Sequence, residues 1–260
     1  MNDAPTKDYR PGWIQDFLIS VVFLTRLPVP LDIKFSMAAV GSASRCFPLV
    51  GVIVGGISGA VFYGAILLNL PLLLCAFLAL AAQVVLTGAL HEDAIGDVAD
   101  GFGGGATKDK KLEIMRDSRV GTYAVVTLIL VMGMKAAVLS SFNDPNIAFS
   151  VIVSSAVASR GMLTWGMYLL APASDNGLGA SAGKPALITA LWALFFTILL
   201  PLLVLGPFLG SIGILAAIVG AVLISGIALR QIGGQTGDVL GSIQQFAELF
   251  FLIALSAVIT

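Results

Sequence analysis

The chain has 260 residues, of which 58% are hydrophobic and 11% charged, with a formal net charge of −1 and a mean hydropathy of +0.99. A soluble domain carries about 25% charged residues, so these values exclude an ordinary water-soluble fold and point to a polytopic membrane protein. Acids and bases that nearly balance and are interspersed also exclude a nucleic-acid partner.

Residues 1–12 are polar, contain Pro5, Pro11 and Gly12, and read as a loose cytoplasmic tail without a cleavable signal peptide. Residues 13–27 are apolar but hold Asp16 and Arg26. They fall short of the roughly 20 residues a helix needs to cross a bilayer. They predict an interfacial helix, stopped by Leu27-Pro28-Val29-Pro30. Residues 31–46, with Asp32, Lys34 and Arg45, predict a surface loop or amphipathic turn.

Spans are expected over residues 47–68, 72–90, 121–141, 147–170, 186–206 and 208–229, with a shorter one over 246–260. The fold class is therefore all-α: a polytopic membrane helix bundle of about seven spans plus an N-terminal interfacial helix. Residues 1–260 form a single integral-membrane domain on this reading. Gly51, Gly55 and Gly59 follow the small-x-x-x-small pattern of close helix contacts. Cys46 and Cys75 have no metal-binding spacing and read as small buried hydrophobes. Lys135, Arg160 and Glu248 are charges inside apolar segments. Such charges are paired or functional by default; Lys135 is expected to snorkel outward and Arg160 to face the bundle interior, towards the site.

Lysines and arginines lie before the first span, within 91–120 and at Lys184 and Arg230, while the turns at 69–71, 142–146 and 206–211 have none. The positive-inside rule then puts the polar loops 91–120, 171–185 and 230–245 on one cytoplasmic face. Three such loops converging there suggest an active site over a membrane-embedded base.

The 91–121 stretch concentrates the chemistry, holding seven of fifteen acids, five of fourteen bases and the only histidine, His91. Asp93, Asp97 and Asp100 are spaced i, i+4, i+7 and share one helix face. Carboxylates that close repel one another unless a divalent cation sits among them, and oxygen-only ligands favour Mg²⁺, Mn²⁺ or Ca²⁺ over zinc. Glu92 points about 100° off that face and reads as a supporting or inward-reaching acid. The Gly101–Gly105 run, including Gly103 and Gly104, offers backbone N–H groups to phosphate. Lys111, Arg116 and Arg119 follow as phosphate-binding cations, and Asp117 as an acid that orients an arginine or binds a second metal. Gln235, Thr236 and Asp238 lie among glycines at 233–241, which lack the nucleotide-binding P-loop pattern.

With these motifs in view the chain resembles the cobalamin synthases, also called adenosylcobinamide-GDP ribazoletransferases. The resemblance rests on Leu24–Pro30, His91–Gly105, Leu112–Tyr123, Ser159-Arg160 and Gly233–Gly241, which together span most of the chain. Ala94 departs from the glycine the family often has there, which bears on helix packing rather than ligation. The resemblance implies an inner-membrane, Mg²⁺-dependent transferase late in cobalamin biosynthesis. It would join adenosylcobinamide-GDP to α-ribazole or its 5′-phosphate and release GMP. On that view Asp93, Asp97 and Asp100 hold Mg²⁺, Arg116, Arg119 and Lys111 neutralise the diphosphate, and Asp100 or Glu92 takes the hydroxyl proton; Arg160 is placed near the substrate. Membrane lipid surrounds the chain, and a homo-oligomer stays open. The rival readings are another Mg²⁺-dependent intramembrane diphosphate transferase, of the CDP-alcohol phosphotransferase or prenyltransferase kind, and a transporter. The first lacks its D-G-x-x-A-R opening, and the last its internal repeats.

Overall fold

The computed structural model describes residues 12–29, 36–174 and 177–259. The expected tail, Asp32, Lys34 and Asp175 lie outside the described residues. The chain is helical throughout, with no strand among the described residues: α1 (Trp13–Leu24), α2 (Met37–Ala43), α3 (Phe47–Leu67), α4 (Leu72–Thr87), α5 (Leu90–Gly104), α6 (Lys108–Met115), α7 (Thr122–Leu139), α8 (Pro145–Leu169), the single turn α9 (Leu178–Ser181), α10 (Leu187–Ile232) and α11 (Gly237–Ile259).

Helix ends follow local chemistry. Asp144 accepts from the Asn146 and Ile147 N–H groups at 2.7 and 3.3 Å and so caps α8, whose first residue is Pro145. Gly233 takes the left-handed conformation (φ 78°) that closes α10. The apolar α1 has 12 residues, in keeping with the length argument against a full crossing. Its buried Asp16 is held by Arg45 at 2.6 Å, and that guanidinium lies 4.1 Å from the Trp13 ring centre.

Five helices are long and apolar enough to cross a membrane: Met37–Leu67 taken as one, α7, α8, α10 and α11. The bent pair α4 and α5 makes a sixth crossing if it counts as one span. The two spans expected on either side of Gly206-Pro207 are joined in the 46-residue α10, which is broken at that point. Its backbone leaves helical geometry at Gly206 (φ 78°, ψ 166°). A Cβ on Gly210 would stand 2.9 Å from the Pro201 carbonyl oxygen, so the chain doubles back there. Residues 31–46, expected as a surface loop, are helical from Met37, with Val40, Ala43 and Cys46 fully buried. The last span is also longer than expected: α11 starts at Gly237 rather than 246 and runs 23 residues. Its early turns carry Val239, Leu240 and Ile243 on a buried face, and that periodicity outweighs the glycines.

The bundle is built around α8, the most enclosed of the crossing helices, with 83% of its apolar window buried. In lipid there is little hydrophobic drive between helices, so close backbone approach does the work. The glycines of α3 supply it. A Cβ on Gly51 would stand 2.5 Å from the Ala156 carbonyl oxygen and 2.6 Å from the Val157 Cα. Gly51→Leu is accordingly expected to destabilise the protein by about 1–3 kcal/mol, read as a lower Tm in detergent. Gly56→Leu, which meets nothing within 4 Å, is expected to leave Tm unchanged.

Candidate active site

The acidic stretch is a helix rather than a loop. Gly88 (φ 67°) and Ala89 (φ 59°) both take the left-handed conformation and turn α5 by 91° from α4. At 15 residues, α5 is too short and too polar to cross lipid alone. It buries His91, Glu92, Ala94, Ile95, Val98 and Gly101, and leaves Asp93, Asp97 and Asp100 on its open side. The shared face expected from the spacing is therefore present.

The three aspartates differ in role. Partial burial, followed by the charges of Asp93, Asp238 and Asp100, pushes the Asp97 carboxyl up to about 7. Asp238, from the start of α11, thus belongs to the same acidic cluster. Asp100 instead accepts the Gly121 N–H at 2.6 Å and the Ala124 N–H at 2.9 Å. It caps α7 from a neighbouring helix and ties α5 to it. A Cβ on Gly121 would stand 2.5 Å from Asp100 Oδ1, so only glycine leaves room for this contact.

The Asp97 shift has a consequence for stability. An unfolded aspartate titrates near 3.8 and the folded Asp97 near 7, so the folded state binds this proton more tightly. Its contribution is present at acid pH and is lost as pH rises to about 7. With a chelator present, Tm should fall over that window, and Asp97→Asn should flatten the slope.

The glycine run is not the open phosphate cradle expected. Gly101–Gly104 are the last turn of α5, and their missing side chains make room for neighbours. A Cβ on Gly103 would lie 2.8 Å from the Tyr123 ring and one on Gly105 2.6 Å from Lys111 Cγ, whereas one on Gly104 would meet Ile114 Cδ1 at an ordinary 3.5 Å. Lys111 donates to Gln231 Oε1 at the end of α10. Arg116 reaches Ser174 Oγ at 3.2 Å. Asp117 and Arg119 pair with each other in solvent, Arg119 Nε standing 3.0 Å from both carboxylate oxygens. Those hydrogen bonds lower the Asp117 carboxyl to about 2.

The expected loop at 230–245 reduces to residues 233–236. It is stitched to residues 171–173 by Ala173 N–H to Gln235 O and Gln235 N–H to Ala171 O, both 2.8 Å. Gln235 is buried within this junction, and Thr236 Oγ1 accepts the Val239 N–H at 3.2 Å as a cap for α11. Both also line the polar cleft beside Asp238. Two clefts meet at Asp238. The polar one is lined by Arg116, Ser174, Gln235, Thr236 and Asp238. The apolar one carries Phe23, Phe47, Leu163 and Met167, with His91 and Asp93 beside them.

Behind the site lies a buried polar network. Lys135 Nζ donates to Glu248 Oε2 at 2.8 Å and Gln245 Oε1 at 2.7 Å. Glu248 also accepts from Gln83 at 2.8 Å and Gln244 at 3.1 Å, and Gln244 donates to Ser159 at 3.0 Å. Lys135 is 1% exposed; its partners lie inside, so it does not snorkel. Glu92 accepts from Gln245 at 3.0 Å and faces this network, away from Asp93. Glu92 lines neither cleft. Arg160 faces the interior as expected, fully buried, with Nη1 on the Ala156 carbonyl at 3.1 Å. It lines neither cleft. The network's amides were not among the expected site residues. Their signal was the Gln244-Gln245 pair one turn before Glu248.

Among the described residues, no three His, Cys, Asp or Glu side chains converge closely enough to hold a metal ion as they stand. The donor chemistry of Asp93, Asp97 and Asp238 nonetheless suits a hard cation. It is oxygen-only, it is drawn from two helices, and its mutual repulsion, visible at Asp97, is what such a cation relieves.

Comparison with known proteins gives consistent results. The family model described as cobalamin-5-phosphate synthase matches residues 16–256. A protein of Mesorhizobium japonicum named adenosylcobinamide-GDP ribazoletransferase is 41% identical over 95% of both chains. Proteins of the same name are 38% identical in Bradyrhizobium diazoefficiens over 94% of both chains, and 39% identical in Brucella anthropi over 95% of this chain and 98% of the relative. No solved structure matches the chain.

Proposed function

Because the chain belongs to the cobalamin-5-phosphate synthase family, we propose that it is the transferase that joins adenosylcobinamide-GDP to α-ribazole or α-ribazole 5′-phosphate. The observation that carries the reading is Asp238, which lies in both the polar cleft with Arg116 and the apolar cleft with Asp93, while the charges of Asp93 and Asp238 act on Asp97. A ribose hydroxyl attacks the phosphorus next to the cobinamide. A P–O bond forms, the P–O bond to the guanosine phosphate breaks, and GMP leaves. The hydroxyl proton passes to a carboxylate of the cluster. Transfers of this kind depend on positioning and charge neutralisation more than on covalent catalysis.

Asp93, Asp97 and Asp238 would hold Mg²⁺, with Asp100 kept as the cap of α7. When bound, the ion neutralises diphosphate oxygens and fixes them against the carboxylates. Arg116 faces the polar cleft and takes a phosphate oxygen. Lys111 anchors α6 to α10, and the Asp117–Arg119 pair stands at the rim. We place the enzyme in the cell inner membrane with these segments cytoplasmic, supported by the one-sided lysines and arginines.

The test uses the purified chain in lipid vesicles with Mg²⁺, adenosylcobinamide-GDP and α-ribazole 5′-phosphate, assaying GMP. Release that exceeds an Asp97→Ala control and stops on chelation is expected. No release above that control overturns the proposal.

A further inference from the structure

The transfer chemistry uses the carboxylates and the polar cleft but leaves the apolar cleft without a task. It encloses about 130 Å³ of free space, less than the roughly 300–1,000 Å³ of drug-sized sites and on the scale of one flat heterocycle. Phe23 and Phe47 lie in its wall with their rings stacked, centroids 5.9 Å apart and planes 13° from parallel. Val40, Leu163, Met167 and Leu240 continue it, while Asp93 and Asp238 bring the polar groups to one side.

We infer that this cleft seats the aromatic base of the acceptor nucleoside, an inference that rests on the transfer reading above. The two substrates offer three large groups. Guanine carries donors and an acceptor along its edge, and each polar group buried without a partner costs about 1–3 kcal/mol; the walls of Phe, Leu, Val and Met supply none, and the Asp93 and Asp238 carboxylates that could take its N–H groups are the ones the reacting hydroxyl needs. The corrin ring is edged with amides and is far larger than a single heterocycle. The alkylated benzimidazole of ribazole has flat aromatic faces and methyl edges, which such walls desolvate at little cost. With the base among Phe47, Leu163 and Met167, the ribose lies beside Asp93 and Asp238, where its hydroxyl must be deprotonated. The guanosine diphosphate is then left to the polar cleft, with Arg116 and Ser174. The two clefts thus divide the substrates, the acceptor in one and the donor in the other, with the carboxylates between them.

Leu163→Phe narrows the cleft and Met167→Ala widens it. For Leu163→Phe the KM for α-ribazole 5′-phosphate should rise on the order of tenfold, with the KM for adenosylcobinamide-GDP little changed. Met167→Ala should gain turnover with a ribazole analogue built on a larger naphthimidazole base, a gain that misfolding cannot produce. Equilibrium binding of 5,6-dimethylbenzimidazole to the protein without the second substrate should be saturable and lost in Leu163→Phe. If only the KM for adenosylcobinamide-GDP rises, or if Met167→Ala gains nothing and the free base does not bind, this assignment is overturned while GMP release by the parent enzyme stands. Absence of GMP release from the parent overturns the transfer reading instead, and base binding lost in Leu163→Phe would still support an aryl site.

Discussion

Asp97→Asn and Asp238→Asn are each expected to lower GMP release by about 10²–10³-fold or more, while the chain stays folded. The two carboxylates come from different helices, and neither is the acceptor that holds a neighbouring backbone in place. Losing either charge removes preorganised anionic density where phosphate chemistry and a cation need it. Asp97→Asn also relieves repulsion from Asp93, Asp238 and Asp100, so stability near neutral pH should rise as activity falls. Opposite movement of Tm and turnover in one variant separates a site residue from a structural one. Asp100 should behave in the reverse sense. Asp100→Ala removes the acceptor for the Gly121 and Ala124 N–H groups, costing about 1 kcal/mol of stability, and Asp100→Asn, which keeps one acceptor oxygen, costs less. Turnover of Asp238→Asn within twofold of the parent would remove Asp238 from the mechanism.

The second large effect lies deeper. Lys135→Met is expected to cost about 3–5 kcal/mol, because it leaves Glu248 buried without its cation. Glu248 would then keep only the Gln83 and Gln244 amides. The double variant Lys135→Met/Glu248→Gln removes both charges while keeping an acceptor oxygen for the Gln83 and Gln244 amides, and should recover part of the loss. Yield of monodisperse protein in detergent and its Tm are the measurements. A Lys135→Met protein as stable as the parent would show that the pair does not hold α7 to α11.

What the sequence disclosed, it disclosed through short-range pattern. The three-aspartate face of α5 follows from spacing alone, and so do the spans at 47–68 and 121–141, within a few residues of α3 and α7. The break at Gly88-Ala89 was hidden because Ala89 adopts a left-handed conformation with no turn signal of its own. Glu92 shows a related limit. Its angle to Asp93 is computable, but which side of α5 meets the bundle depends on Gln245, 153 residues away. The same holds for Lys135, whose inward turn is decided by Glu248 on another helix. The glycine run is ambiguous in the sequence because glycine serves both flexibility and close packing, and only neighbours such as Tyr123 and Lys111 reveal the packing role.

The Lys135–Glu248 pair has a bearing on how the protein is made. Its partners lie 113 residues apart. At a synthesis rate of about 5–20 residues per second, roughly 6–23 s separate the emergence of the lysine from that of its carboxylate. A lone lysine costs up to about 2.5–3.5 kcal/mol to insert, the figure for a helix centre and an upper bound for Lys135 near the end of α7. During that interval α7 gains by lingering beside the insertion machinery or at the bilayer edge, and the arrival of α11 is the event that lets it settle. Membrane assembly of this enzyme is in that sense completed from its C-terminal side.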